Sequence, residues 1–191
     1  MADQVLLENI PSVDLAEFLS DNATLKSKFV AELGAALTNI GFVALKNHGL
    51  SEDLRDELYS SVRAFFSQDD AIKQAYEFPE LAGQRGYIGK NKETAKGFKK
   101  ADLKEFFHVG QLNKREGMPD NIFPKEIPAF EKKTIETFKI FESTGRTLLK
   151  AIALYLELPK EYFEAKVYQG DSILRALHYF PIENPELLEE G

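Results

Sequence analysis

Three histidines are the first candidates for chemistry in this 191-residue sequence. His48 stands between Asn47 and Gly49, His108 follows Glu105-Phe-Phe, and His178 lies between Leu177 and Tyr179. Two histidines and one carboxylate suffice for a facial non-haem iron centre, which leaves positions open for oxygen and a cosubstrate. The common local form puts a carboxylate two residues after a histidine, but those positions hold Leu50, Gly110 and Phe180. No two histidines have the i, i+4 spacing of a helical zinc site. Packing and loop hydrogen bonds account for all three more simply than a metal does. A Ser-His-Asp triad needs no adjacency in sequence, yet the Gly-x-Ser-x-Gly elbow that would mark one does not occur.

Other residues could bind rather than react. Gly83, Gly86 and Gly89 recur at every third position, which is not a phosphate-cradling spacing, and no amphipathic helix follows to aim backbone N–H groups at an anion. A hinge or substrate-covering loop fits better. Lys90, Lys92, Lys96, Lys99 and Lys100, with Tyr87 and Phe98 close by, could grip phosphates and stack bases. A solvated loop explains them too, since Glu93 and Asp102 interrupt the charge. Arg175 stands among apolar residues on a strand, so burial would oblige it to find a partner: a structural ion pair or a bound anion.

The elements that must position these residues follow from periodicity. Ile10 to Leu15 reads as a short strand, at a sheet edge because of Pro11. Phe29, Leu33, Leu37 and Ile40 form a helical stripe that Gly41 ends, and Phe42 to Leu45 reads as a buried strand. Ser51 suits an N-cap, with Glu52 and Asp53 in the first turn. Leu54, Leu58, Val62 and Phe65 then give the inner face of a second helix, and Asp69-Asp70 opens a shorter one reaching Tyr76. Periodicity vanishes from Phe78 to Lys100, which reads as a mobile surface loop. Leu103 to Val109 reads as a strand. Pro128 opens a long helix that closes before Pro159, and a short helix covers Glu161 to Lys166. Ser172 to Phe180 reads as a strand with Ile173, Arg175, Leu177 and Tyr179 on one face and Leu174, Ala176 and His178 on the other. That last strand has an apolar face and no evident partner, an awkward way for a domain to end.

Composition narrows the function classes. Fifteen Phe and seven Tyr can fill a core, and zero Cys removes disulfides and thiolate chemistry. A net charge of −7 disfavours nucleic acid and anionic membrane surfaces. No apolar run approaches a membrane span and no signal peptide is visible, so a cytoplasmic protein is expected.

Taken in order, the motifs resemble a known family. Ile10-Pro-Ser-Val-Asp-Leu15, Gly41-Phe-Val-Ala-Leu-Lys-Asn-His-Gly49, Phe65-Phe66, Gly86-Tyr87, Asp102-Leu-Lys-Glu-Phe-Phe-His108, Leu174-Arg-Ala-Leu-His-Tyr-Phe-Pro181 and Asn184-Pro-Glu-Leu187 are similar to the N-terminal half of the isopenicillin N synthase-like oxygenases. The resemblance implies an α+β fold: a helical N-terminal region (residues 1–170), then the first strands of a double-stranded β-helix, or jelly roll (171–191), whose remaining strands are missing. It implies a non-haem Fe(II), 2-oxoglutarate-dependent dioxygenase that hydroxylates, desaturates or ring-closes a small organic substrate with dioxygen. Tyr179 matches the family tyrosine that donates to a cosubstrate or substrate carboxylate. Arg85 and Tyr87 fall in the loop that lines the substrate entrance, and His48 falls at a structural position. In the family the iron ligands follow the Pro-Glu-Leu segment, so no metal or catalytic residue is expected in this chain; the ligands are expected beyond Gly191, and the 191 residues alone are expected to be inactive. The rival readings are a non-catalytic protein-interaction module and, less favoured, a nucleic-acid binder using Lys90 to Lys100.

Overall fold

The computed structural model describes residues 10–90, 92 and 103–181. Its elements run β1 (Ser12–Asp14), α1 (Leu15–Leu19), α2 (Ala23–Asn39), β2 (Ala44–Lys46), α3 (Glu52–Phe66), α4 (Asp70–Gln74), a 3-10 turn (Pro79–Leu81), β3 (Gly86–Ile88), β4 (Lys104–Gly110), α5 (Pro128–Tyr155), α6 (Glu164–Val167) and β5 (Ile173–Tyr179). The α+β class is as expected. By internal packing the chain groups into two compact units, residues 1–52 with 137–168, and 53–136 with 169–191. The second of these units runs across the boundary expected after residue 170.

In the first unit β1 pairs in parallel with β2, Val13 opposite Leu45. Asp14 caps α1 by accepting from the Ala16 N–H at 2.9 Å, and Asn22 caps α2 by accepting from Thr24 and Leu25. Such caps satisfy N–H groups that the first helical turn leaves open. Val13, Leu15, Phe18, Phe29, Leu33 and Ala151 form the core. Two expectations need correction here. Leu15–Leu19 is a helix rather than the end of a strand. Phe42 is 70% exposed, because the ladder begins only at Ala44 and leaves it without a sheet to pack on.

The second unit is built on an antiparallel sheet of order β3-β4-β5. Phe65, on α3, is fully buried and makes ring contacts with Phe66, Tyr76, Tyr87, Phe107 and Phe130 at centroid separations of 5.0–6.0 Å. Each such side chain contributes roughly 1.5–3 kcal/mol by burial, with about 0.5–1.5 kcal/mol more for each well-oriented aromatic pair.

Two further expectations change here. β5 is not unpartnered: it pairs with β4 over its whole length, from Gly110 opposite Ile173 to Lys104 opposite Tyr179. Nor is the glycine-rich segment wholly a surface loop. Its first part is β3, whose three residues are buried against Phe106 to His108. Gly86 is required there, since its φ is +76° and a Cβ would lie 2.4 Å from the Tyr76 carbonyl oxygen. The rest of the expected loop, residue 91 and residues 93–100, lies outside the described residues. No helix among the described residues is long and apolar enough to cross a membrane.

Candidate functional site

The three-stranded sheet has two chemically different faces. Side chains alternate along a strand, and directly paired residues share a face. The register therefore puts Phe106, His108, Gly110, Ile173, Arg175, Leu177 and Tyr179 on one side. Tyr87, Glu105, Phe107, Val109, Leu174, Ala176 and His178 lie on the other, the side that meets the aromatic core.

The core face carries a buried charged network. Glu105 is 1% exposed, and its carboxylate accepts from Lys73 Nζ at 2.9 Å and from the Tyr87 hydroxyl at 2.6 Å. Its other oxygen lies 2.8 Å from His178 Nδ1. Lys73, from α4, also meets Asp70 at 3.1 Å, and the His178 ring stacks on Phe66. Burial alone would push the Glu105 carboxyl up. The hydrogen bonds from Tyr87, Lys73 and His178 outweigh that and hold it below the usual carboxylate range. Burial works against the Lys73 charge as well, but its bonds to Glu105 and Asp70 keep the ammonium pKa above its ordinary value. Burial, and then donation to Glu105, push the Tyr87 phenol well up. These groups stay as Glu⁻, Lys⁺ and neutral Tyr near neutral pH, which is a positioning network with no proton to trade. Beside it opens a cleft of about 510 Å3 lined by Asp70, Glu77, Tyr87, Lys90, Lys92 and Phe180, among others. Lys92 pairs with Glu77 at 3.3 Å and Lys90 lies over the Phe180 ring.

The opposite face is more open and carries cations. Arg175 Nε donates to His108 Nε2 at 2.6 Å, so His108 carries its proton on Nδ1 and directs it to the Gly83 carbonyl at 2.6 Å. The Arg175 guanidinium also lies over the Phe106 ring, 4.5 Å from its centroid. The two readings of Arg175 thus gain a third, a cap over a buried ring and histidine. Tyr179 is 65% exposed on the same face. Arg85 is 2% exposed, with one nitrogen donating to the Gln84 carbonyl.

The expected site residues are not gathered at one point: Arg85 packs on Gly110, which pairs with Ile173, whereas Tyr179 pairs with Lys104 six residues along the strand. Tyr179 and the Arg85 guanidinium lie on one face, whereas Tyr87 points into the core and lines the cleft. His48 accepts weakly from the Leu50 N–H through Nδ1, and its carbonyl accepts from Thr144 at 2.9 Å. That is the bonding of a structural turn. Among the described residues no group of three or more His, Cys, Asp or Glu is gathered to hold a metal ion. The Glu105–Lys73–His178 cluster escaped the sequence reading. Its signal was a carboxylate inside an aromatic strand, which must find donors once buried.

With this geometry described, comparison with known proteins identifies the class. Residues 10–128 match the family model described as the non-haem dioxygenase in morphine synthesis N-terminal region, and the chain belongs to that family. It is 29% identical, over 90% of its length, to the 2-oxoglutarate-dependent dioxygenase frbA of a Dothideomycetidae species, and covers 54% of that protein. It is 28% identical, over 93% of its length, to the leucoanthocyanidin dioxygenase of Malus domestica, covering 50%. Among solved structures it is similar to a full-length Neurospora crassa protein in complex with alpha-KG, with a TM-score of 0.77 and 27% identity over 89% of this chain and 54% of that one. A 2OG-Fe(II) oxygenase family protein from Caulobacter crescentus superposes with a TM-score of 0.78 and 36% identity, covering 92% of this chain and 57% of that one. The chain spans about half the length of the curated relatives it matches.

Proposed function

We propose that this chain is the N-terminal portion of a cytoplasmic Fe(II)- and 2-oxoglutarate-dependent oxygenase acting on a small organic substrate by hydroxylation, desaturation or ring closure. The observation that carries the reading is the family match over residues 10–128. It is supported by Tyr179, presented at the exposed face of a strand that ends the Leu-Arg-Ala-Leu-His-Tyr motif. In this reading residues 171–191 begin the jelly roll, and β5 is the strand onto which it is built.

Each residue has a role its geometry can support. The Tyr179 phenol donates a hydrogen bond to a carboxylate of the cosubstrate, and being exposed it can do so without rearranging the core. Arg85 faces the same side and contacts the prime substrate. Tyr87 acts through the cleft and through Glu105, whose fixed charge holds β3 and β4 in register beneath the opposite face. The described histidines do not fit an iron centre: His108 has both ring nitrogens engaged, and His178 faces the core against Glu105. What these residues supply is therefore binding and orientation, with the iron ligands contributed by sequence following Gly191. The test is 2-oxoglutarate-dependent succinate release by the protein that carries this chain, assayed with Fe(II) and ascorbate. Succinate released in step with oxygen uptake supports the reading. No release with any small organic acid or aromatic substrate, from protein containing iron, would reject it.

A further inference from the structure

α2 carries a second stripe beside the one it buries in the core. Lys26 and Val30, like Ser27 and Ala31, stand at i, i+4 spacing and so share one face of the helix. That face lines a pocket of about 470 Å3 together with Phe18 of α1, Leu154 and Tyr155 at the end of α5, and Glu157 and Lys160 just beyond it. All of these residues belong to the first compact unit, and none lies on the sheet that carries Tyr179. Pockets for small ligands run from roughly 300 to 1,000 Å3 and are mostly apolar, with a few placed polar groups. This pocket has that size and that make-up.

The backbone shapes its walls. Gly34 continues the line of Lys26 and Val30 by one more turn, and a Cβ there would lie 2.1 Å from Tyr155 Cδ2. The tyrosine ring therefore takes the place of a side chain on α2, with its hydroxyl 3.4 Å from Thr38 Oγ1. α5 stops in a left-handed turn: the Glu157 N–H donates to the Leu154 carbonyl at 3.1 Å and the Leu158 N–H to the Ala153 carbonyl at 2.9 Å. Glu157 holds a φ of +57° at the position of this turn where glycine is usual. The chain thus accepts backbone strain at a residue whose carboxylate lines the pocket.

The charges decide what fits. Lys28 pairs with Glu17 and Glu32, and Lys150 with Glu161. Lys26 and Lys160 have no carboxylate partner among the described residues: Lys26 is half-buried, and Lys160 has only the Phe18 ring, 6.0 Å from its ammonium. Two lysines against Glu157 leave one positive charge, which balances one negative charge and opposes a second. α2 lines the pocket only from Lys26 to Ala31, about 8 Å of helix, too short a groove to seat a docked helix. We infer that this pocket binds a small amphiphile, its apolar tail between Val30, Ala31, Leu154 and Tyr155 and its single carboxylate met by Lys26 and Lys160. Such binding needs neither iron nor the oxygenase reading.

Octanoate below its micelle concentration is the probe, titrated by calorimetry into the protein that carries this chain. Octanol supplies the tail without a charge, octylammonium the tail with the opposite charge, and acetate the head alone. The expected result is saturable one-to-one binding of octanoate, with octanol and octylammonium weaker by roughly ten-fold or more and acetate silent. Lys26→Gln and Lys160→Gln together should bring octanoate down to the octanol level. Ala31 is exposed on its helix, so Ala31→Phe fills the pocket without entering the core and should abolish binding with Tm unchanged. A diazirine-bearing octanoate should label Val30, Ala31 or Leu154 on irradiation. No saturable binding, equal binding of octanol or octylammonium, binding that survives Ala31→Phe, or labelling confined to other residues overturns the assignment. Sedimentation of the same sample tests the other occupant. A dimer that Ala31→Phe disperses would give the pocket to a second copy of the chain, and overturn it too.

Discussion

Glu105→Gln isolates the charge of the buried network while keeping its shape. The side-chain oxygen of glutamine can still accept from Tyr87 and Lys73, and its amide can donate to His178 Nδ1, so all three contacts at 2.6–2.9 Å have a neutral replacement. What is lost is the counter-charge for Lys73, itself buried. Removing one partner of a buried pair costs about 3–5 kcal/mol, and the retained hydrogen bonds and the second contact to Asp70 place this case near 3 kcal/mol. For a chain of this size that lowers Tm by about 6–12 °C. Urea denaturation at neutral pH measures the loss, and Lys73→Met in the Glu105→Gln background should restore about 2 kcal/mol of it, because the orphaned ammonium is then gone. The pH dependence has a definite sign. The Glu105 carboxyl is held below its ordinary value of 4.5, so its stabilisation is complete above that pH and disappears as pH falls through its own lower value. The gap between wild type and Glu105→Gln should therefore be constant near neutrality and close below about pH 4.5. Loss of less than about 1 kcal/mol with an unchanged m value, or a gap that widens in acid, would refute the reasoning.

Other outcomes follow from the same geometry. On the proposed oxygenase reading, Tyr179→Phe in the protein that carries this chain should weaken apparent 2-oxoglutarate affinity about ten-fold, the loss of one hydrogen bond to a charged group, with Tm unchanged because the side chain is exposed. An unchanged affinity removes Tyr179 from the cosubstrate site. Gly110→Ala should cost about 1–3 kcal/mol in urea, since its methyl group must displace Arg85. Gly89→Ala, where a Cβ would meet nothing closer than 3.5 Å, should cost about 1 kcal/mol less. The 191-residue chain titrated with Fe(II) under anaerobic conditions should show no saturable one-to-one binding by calorimetry. Micromolar stoichiometric binding would mean that the histidines form a centre their present hydrogen bonds do not suggest.

How much could be read from the sequence depended on the range of the interactions that decide each element. The helices α2, α3 and α5 are long enough for a repeating apolar stripe to show, and Phe29, Leu33, Leu54 and Phe65 are buried where the stripe puts them. The alternation along β5 was equally legible, because it needs only the seven residues themselves. β3 was not. Gly86, Tyr87 and Ile88 have the local character of a turn, and only their pairing with Phe106 to His108 makes a strand of them. α1 is five residues long, too short for any period to appear. The site divides in the same way. Tyr179 announced itself through a motif, whereas Glu105 meets Lys73 and His178 across 32 and 73 residues, a relation no local pattern contains.

The two faces of the sheet also show why a buried charge is informative only when its partners are counted. Glu105 and Arg85 are almost equally inaccessible, and by burial alone each would be a candidate for function. Glu105 has three donors on two oxygens, and its pKa moves in the direction that such saturation dictates. Such a group holds structure together and has nothing left with which to bind. Arg85 has one acceptor for five N–H donors, and its pKa moves toward the neutral form because the loss of water outweighs the opposing charge of Asp171. Native interiors rarely leave such groups open, so the unpartnered Nε and Nη2 mark Arg85 off from the saturated Glu105. The face that carries Tyr179 is also where the described fold leaves that hydrogen-bonding capacity unused.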